Sequence, residues 1–260
     1  MSTAAPFDWR TATPAEVDEQ YSPSRFARRP LEQYLDEYRT TSAVVEAESL
    51  RVASQPLLVY IHGGYWQRLS AADSLFNAAD AVREGVSLHA VEYTLAPAAT
   101  IDRIVGECIA DVVSIIERLR PVRVVLAGCS AGAHLAAMCS REPRVGSRVD
   151  GAALLSGIYD LRPLVVTPTN DPLFLDAESA AALSPQLLPP PALRAALCAV
   201  GEHESGEFIR QNREFAEHLR SGGTDVSCET VSGRDHFDLP YDLLKRGTTV
   251  GDWVLSVLRP

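Results

Sequence analysis

Short apolar runs of strand length recur along the chain, and segments with apolar residues at helical spacing separate them. The strand-like runs read LLVYIHGG, SLHAVEY, VRVVLAG, GAALLSG, ALCAVG and VSCETVSG. The helical segments read SLFNAADAVREG, IVGECIADVVSIIERL, AHLAAMCSREP and EFIRQNREFAEHLRSGG, and a last helix is predicted near VGDWVLSVL. Continuous apolar runs that alternate with helices are typical of a parallel sheet. The pattern therefore predicts an α/β fold with a doubly wound, mostly parallel sheet.

Two stretches fall outside this alternation of strands and helices. The first 50 residues are polar, and PLEQYLDEY is the clearest helix among them. Residues 158–192 form a Pro-rich insert between two predicted strands, and a long insert at this place is expected to act as a lid or a pocket wall. No linker or repeat divides the chain, so the sequence predicts a single domain over residues 1–260.

The charge and composition exclude several classes of partner. The formal net charge is -10 and the pI is about 5.1, so neither nucleic acid nor an anionic membrane surface would attract the protein. The start of the chain lacks a signal-peptide pattern, and no apolar run reaches the length that spans a bilayer. We therefore expect a cytoplasmic protein whose partner is a small-molecule substrate, and a homodimer is compatible with the sequence.

The cysteines and the lysine argue against a metal site and against a phosphate-binding loop. The five cysteines are odd in number, scattered and without a C-x-x-C pair, which predicts free thiols and no metal site. Lys245 is the only lysine, and it lies outside any G-K-[ST] motif of a phosphate-binding loop.

A nucleophile elbow is predicted in the segment 126–134, which reads LAGCSAGAH. A sharp strand-to-helix turn can present one side chain only if the residues two before and two after it are small. Gly128 and Gly132 flank Ser130 in this way, whereas the same offsets around Cys129 give two alanines, which tolerate strained backbone angles less well. Ser130 is therefore the predicted nucleophile.

The loop HGGYW after the first strand-like run is the predicted oxyanion hole. Active sites of open α/β sheets lie at the carboxyl ends of the strands, and a glycine loop there can turn backbone N–H groups inward. The predicted donors are the N–H groups of Gly63, Gly64, Tyr65 and Ala131. Tyr65 and Trp66 are also predicted to bind substrate, with ordinary core packing as the alternative.

A serine nucleophile needs a histidine base and a carboxylate that orients it. His236 follows the last strand-like run, and His203 is its one serious rival. His62 belongs to the predicted glycine loop, and the other histidines lie within predicted helices or strands, where structural roles are expected: His89, His134 and His218.

The acid is predicted among the carboxylates that follow strand-like runs. Glu204 lies after ALCAVG, as chain order Ser, acid, His requires. Glu202 follows the strand too closely, and Glu207 suits the first turn of the next helix. Asp160, after the preceding strand, stays open as an alternative.

Several motifs together resemble the kynurenine formamidase, or arylformamidase, branch of the α/β-hydrolases, which is close to hormone-sensitive-lipase-like esterases. They are HGGYWQ, GCSAGAHL, EQYSPSR, VEYTLAP, LSGIYDLRPL, GEHESGEFIRQ and DHFDL. The resemblance implies an α/β-hydrolase fold and hydrolysis of N-formyl-L-kynurenine to L-kynurenine and formate, with no metal or organic cofactor. It places the nucleophile on Ser130, the histidine on His236 and the acid on Glu204, where the family looks to use aspartate.

The chain also departs from that family before its first strand-like run. Members of the family carry a longer stretch there, which forms an antiparallel hairpin, and this chain has lost most of it. A carboxylesterase or a specialised biosynthetic hydrolase on the same frame is therefore an alternative, and a non-catalytic binding protein is a second one.

Overall fold

Six strands form one sheet in the computed structural model, which describes residues 7–259. Neighbouring strands pair in the order β2-β1-β3-β4-β5-β6, and every pairing is parallel. Each strand falls on one of the predicted apolar runs, so the predicted doubly wound α/β fold is confirmed. The strands are β1 (Leu57–Ile61), β2 (Ser87–Val91), β3 (Val124–Cys129), β4 (Gly151–Leu155), β5 (Ala195–His203) and β6 (Asp225–Asp235).

Nine α-helices within residues 7–259 accompany the sheet. They are α1 (Pro14–Gln20), α2 (Leu31–Ser42), α3 (Ala78–Glu84), α4 (Ile101–Leu119), α5 (Ala131–Cys139), α6 (Pro143–Gly146), α7 (Ala177–Ala182), α8 (Gly206–Ser221) and α9 (Thr249–Leu258). No helix in the described part of the chain combines the length and the apolar character that crossing a membrane requires.

The apolar strand runs are explained by burial of both sheet faces. On β1, Leu57, Val59 and Ile61 join the apolar core that also contains buried residues of α4, α5 and α8. The alternate residues Leu58 and Tyr60 join a second core with residues of α3 and α9. Successive side chains of a strand point to opposite faces, so a strand between two helical layers needs an unbroken apolar run.

The two predicted irregular stretches cover parts of this frame. Within the insert the chain forms α7 and the short 3-10 helices Arg162–Val166, Pro168–Asn170 and Pro185–Leu187. Before β1 the described residues hold α1, α2 and the 3-10 helices Pro23–Arg25 and Ala47–Leu50. Residues 7–56 therefore add no strand to the sheet. The remaining 3-10 helices are Ala72–Ser74 and Leu239–Asp242.

Candidate active site

The candidate site lies where the order of the strands reverses. β1 pairs with both β2 and β3, so the chain runs to opposite sides of the sheet from this point. Open α/β sheets form a crevice at the carboxyl ends of such strands. The glycine loop follows β1 and Ser130 follows β3, which brings both predicted elements into the same crevice.

Ser130 occupies a strained turn between β3 and α5. Its φ and ψ angles are 58° and -123°, in a region that a non-glycine residue rarely adopts, at a typical cost of about 1–3 kcal/mol. A Cβ on Gly128 would lie 2.2 Å from the carbonyl oxygen of Gly132, and a Cβ on Gly132 would lie 2.0 Å from that of Ile61. Only glycines fit at these two positions. The Ser130 N–H donates to Leu155 O at 2.9 Å and fixes the turn to β4.

Cys129 is held away from the apex of this turn. Its buried thiol donates a weak hydrogen bond to His236 O at 3.7 Å. Burial raises the pKa of the Cys129 thiol well above its ordinary value, so the thiol stays protonated. A protonated thiol is a poor nucleophile, and these contacts favour Ser130 over Cys129.

Glu204 and His236 form a buried pair. The His236 Nδ1–H donates to Glu204 Oε2 at 2.7 Å, and the two side chains are 5% and 1% exposed. Glu204 lies between β5 and α8, and the next residue, Ser205, caps α8 by accepting from Phe208 N–H at 3.3 Å. The structure thus places the predicted acid and base in direct contact.

The rival carboxylates are occupied elsewhere. Glu202 is exposed and accepts from Gly233 N–H at 2.8 Å. Glu207 accepts from the Tyr21 hydroxyl at 2.8 Å and forms an ion pair with an arginine of α8. Asp160 accepts from two nitrogens of the Arg162 guanidinium group, from Nε at 2.9 Å and from Nη2 at 2.8 Å. Glu204 is the one of the four that contacts His236.

The rival histidines are also placed away from the nucleophile. His203 is exposed at the end of β5. Burial lowers the pKa of His134 to about 4, and its Nε2 lies 2.8 Å from Leu183 O. His62 is buried, with its Nδ1 3.0 Å from the Tyr93 hydroxyl. None of these three histidines lines the cavity that contains Ser130, whereas His236 does.

The glycine loop presents backbone N–H groups beside Ser130. Three consecutive residues have positive φ, at 96° for Gly64, 53° for Tyr65 and 61° for Trp66. Gly63 packs so closely on the elbow that a Cβ there would lie 2.8 Å from Cys129 O. Within residues 7–259, no protein acceptor receives the N–H groups of the four predicted donors, Gly63, Gly64, Tyr65 and Ala131. Free donors beside a serine are what an oxyanion hole requires.

A cavity of about 380 Å³ joins these groups. Ser130, His236, Gly63, Gly64 and Tyr65 all line it, together with Pro168 and Thr169 of the insert. No hydrogen bond joins the described side chains of Ser130 and His236. Such contacts are often long without substrate and tighten when it binds. The volume suits a small organic ligand.

The N-terminal segment supplies a wall of the cavity that the sequence analysis did not identify. Tyr21 and Tyr38 line the cavity, and the Tyr38 hydroxyl donates to Phe237 O at 2.5 Å. Tyr34 donates from its hydroxyl, and Arg28 from its backbone N–H at 2.8 Å, to Asp235 Oδ2. The segment is therefore hydrogen-bonded to the loop that carries His236.

Trp66 is not where substrate binding would require it. Its side chain is 0% exposed and packs edge-on against His134 at 5.1 Å, inside the core rather than in the cavity wall. The positive φ angles of the loop turn Tyr65 toward the cavity and Trp66 into the core. The predicted substrate contact of Trp66 thus gives way to the alternative of core packing, whereas Tyr65 lies at the cavity.

We expect Trp66→Ala to destabilise the fold by about 3–5 kcal/mol, because a buried aromatic side chain would leave a cavity. The free energy of unfolding in urea measures this loss. Activity of the folded fraction should fall equally on aromatic formamides and on p-nitrophenyl acetate. A selective loss on the aromatic substrates at unchanged stability would contradict this placement.

Ser156, at the end of β4, is a further residue of the site that the sequence analysis did not identify. It is 0% exposed, and its hydroxyl donates to Glu204 Oε1 at 2.6 Å. The Gly201 N–H donates to the same oxygen at 2.7 Å. A single serine after a strand has no distinctive sequence spacing. Its role is therefore visible only from its contact with Glu204 in the folded structure.

Comparison with known proteins gives one family. A family model described as alpha/beta hydrolase fold matches residues 58–238. Kynurenine formamidase of Danio rerio is 35% identical over 288 aligned residues, which cover 96% of this chain and 98% of that protein. Kynurenine formamidase of Salmo salar is 33% identical, with 96% of each chain covered.

Solved structures agree with the fold. A candidate thioesterase from a Silicibacter species superposes with a TM-score of 0.80 at 22% identity, over 94% of this chain and 98% of its own. An esterase of the bacterial hormone-sensitive lipase family superposes with a TM-score of 0.67 at 16% identity, over 96% of this chain and 100% of its own. At these identities the likeness shows the fold.

Proposed function

Because this chain belongs to the kynurenine formamidase family of α/β-hydrolases, we propose that it hydrolyses N-formyl-L-kynurenine to L-kynurenine and formate. The observation that carries the proposal is the buried pair of Glu204 and His236, which lines one cavity with the strained Ser130. Acyl transfer through a serine needs this set of groups.

In the first half of the reaction, Ser130 Oγ attacks the formyl carbon and His236 Nε2 takes the serine proton. The Glu204 carboxylate accepts from His236 Nδ1–H, which leaves Nε2 free to face the serine and stabilises the imidazolium that forms. The N–H groups of the glycine loop and of Ala131 hold the negative charge on the former carbonyl oxygen.

In the second half, His236 returns the proton to the nitrogen of the leaving arylamine, and the C–N bond breaks. Water then attacks the formyl ester of Ser130, with His236 as the base, and formate leaves. An arylamine is less basic than an alkylamine, so it is expelled more readily. Apart from water, every group that these steps need belongs to a residue of this chain.

The walls of the cavity support an aromatic amino-acid substrate. Tyrosine and phenylalanine rings form much of the lining: Tyr21, Tyr38, Tyr60, Tyr65 and Phe237. Arg68 is the one lining residue with a permanent charge, and within residues 7–259 it forms no ion pair. An aromatic ring and a carboxylate on one small substrate would match these two kinds of wall.

A hydrolysis panel tests the proposal. N-formyl-L-kynurenine, 2-formamidoacetophenone and p-nitrophenyl acetate share a small acyl group, but only the first carries an amino acid. We expect the highest kcat/KM on N-formyl-L-kynurenine. Turnover of the ester that far exceeds turnover of both formamides would replace the proposal with a carboxylesterase, and failure of all three together with no fluorophosphonate labelling would indicate a non-catalytic protein.

Arg68→Gln should lower kcat/KM for N-formyl-L-kynurenine relative to 2-formamidoacetophenone by about 10-fold, the typical worth of a hydrogen bond to a charged group. The loss should lie mainly in KM, because the carboxylate is remote from the reacting bond. Arg148→Gln is the matched control, since Arg148 is also exposed and does not line the cavity. An unchanged ratio in the Arg68 variant would remove Arg68 from substrate recognition.

We further propose a cytoplasmic location. All five cysteines are within the described residues and are free thiols, as expected in a reducing compartment. Fractionation of the native cell would test this location. The homodimer stays a prediction, which sedimentation of the purified protein would test.

A further inference from the structure

Three donors hold the Glu204 carboxylate, and Ser156 is one of them. Oε1 accepts from the Ser156 hydroxyl at 2.6 Å and from Gly201 N–H at 2.7 Å, and Oε2 accepts from His236 Nδ1–H at 2.7 Å. Two donors therefore fix one oxygen, and the other is left to the histidine. Hydrogen bonds to an ionised group are stronger and more directional than those between neutral groups.

The length of the Glu204 side chain makes this fixation important. Glutamate has one more rotatable bond than aspartate, so its carboxylate can turn away from His236 unless something holds it. The Glu204 and His236 side chains are nearly inaccessible, so water cannot freely replace a missing donor to the carboxylate. The Ser156 hydroxyl limits rotation about the last torsion of Glu204.

The backbone of Ser156 points to the hydroxyl as the reason for a serine at this position. Its φ is 49°, in the left-handed region that favours glycine. Its N–H donates to Ala199 O on β5 at 2.7 Å, a contact that glycine would make equally well. The hydroxyl has Glu204 as its one hydrogen-bond partner among residues 7–259.

We propose that Ser156 is a positioning residue that sets the rate of hydrolysis through Glu204. It does not contact the reacting atoms. It holds the carboxylate in the orientation that keeps His236 Nε2 directed at Ser130. The inference rests on the proposed function only in taking Glu204 as the triad acid.

Ser156→Gly is the sharpest test, because glycine relaxes the backbone while it removes the hydroxyl. We expect kcat on p-nitrophenyl acetate and on N-formyl-L-kynurenine to fall about 10- to 100-fold, the effect of losing one hydrogen bond to a charged group. KM should change by less than about twofold. The midpoint of urea unfolding should not fall, since the strained φ is relieved.

Two further variants separate positioning from packing. Ser140→Ala is the matched control, because Ser140 is also buried and its hydroxyl donates to Ala136 O of the preceding helix α5. The kcat of this variant should stay at the wild-type value. In a Glu204→Gln background, Ser156→Gly should lower kcat further by less than about twofold, because the carboxylate through which Ser156 acts is already lost. Should the glycine variant fail to fold, Ser156→Ala replaces it in both measurements.

The outcomes distinguish this inference from the proposed function. If Glu204→Gln collapses kcat while Ser156→Gly retains it, the triad stands and the positioning role is wrong. An equal loss from Ser156→Gly in both backgrounds would also overturn the role, because the serine would then act independently of Glu204. Wild-type kcat in Glu204→Gln would overturn the triad and the role together.

Discussion

Ser130→Ala should lower kcat by about 10⁴- to 10⁶-fold on every substrate that the protein hydrolyses, as loss of a serine nucleophile does elsewhere. No other hydroxyl stands at the apex of the elbow, and its shape does not depend on the lost oxygen. The turn is set by the glycines two before and two after it and by the hydrogen bond from Ser130 N–H to Leu155 O at 2.9 Å. Stopped assays on p-nitrophenyl acetate and circular dichroism of the variant measure rate and fold separately.

Cys129→Ala is the control for this result. Its thiol is buried and is kept protonated by its raised pKa, and its one side-chain hydrogen bond within residues 7–259 is to a backbone oxygen. The variant should therefore retain most of the activity. Labelling by a fluorophosphonate should follow the serine and not the cysteine. If the cysteine variant were inactive and the serine variant active, the nucleophile would have to be reassigned.

Glu204→Gln should lower kcat by about 10⁴-fold, the loss seen when a triad carboxylate becomes an amide. The amide can donate to His236 Nδ1, which favours the tautomer with its proton on Nε2 and leaves no base for Ser130. It also cannot stabilise the imidazolium that forms when the serine is deprotonated. Binding should be less affected than turnover, because Glu204 is not among the residues that line the cavity. Single-turnover kinetics separate the two effects.

The other carboxylates supply the controls for Glu204. Glu202→Gln should keep nearly wild-type kcat, because Glu202 is exposed and accepts hydrogen bonds from Ser232 and Gly233 of β6 rather than from His236. Glu207→Gln and Asp160→Asn remove buried partners of arginines, so they should lower stability more than kcat. A collapse of kcat in Asp160→Asn alone would place the acid on the earlier strand.

The sequence predicts much of this fold because the sheet is buried on both faces. Strands β1 to β4 are buried at every residue, whereas the edge strand β6 is mostly half-buried. Polar residues directly after a run lie at the carboxyl edge where parallel strands meet. This is why Ser130 and His236 could be proposed from position, with Glu204 as the acid and Asp160 left as an alternative to it. Strand ends were less predictable: β5 extends to His203 and β6 to Asp235, past the glycines that suggested stops.

Two parts of the site could not be predicted, for different physical reasons. The side that Trp66 faces depends on positive φ angles at successive loop residues, and no periodicity encodes these. The cavity wall from α2 depends on contacts between residues about 200 positions apart in the chain, such as Tyr34 with Asp235, whose separation is 201. Neither local propensity nor spacing reports contacts of this kind.

The two hydrogen bonds that Asp235 accepts from the N-terminal segment couple the shape of the cavity wall to the position of His236. Asp235 immediately precedes His236, and it accepts hydrogen bonds from Arg28 and Tyr34 of the segment that walls the cavity. Substitutions in that segment that broaden the substrate range will therefore also disturb His236. We expect variants selected there to accept more substrates but to have a lower kcat. At the wall formed by Pro168 and Thr169, the Gln67 amide donates to Thr169 O, and within residues 7–259 no hydrogen bond links this wall to the triad. We therefore expect it to be the better place to enlarge the cavity at constant rate.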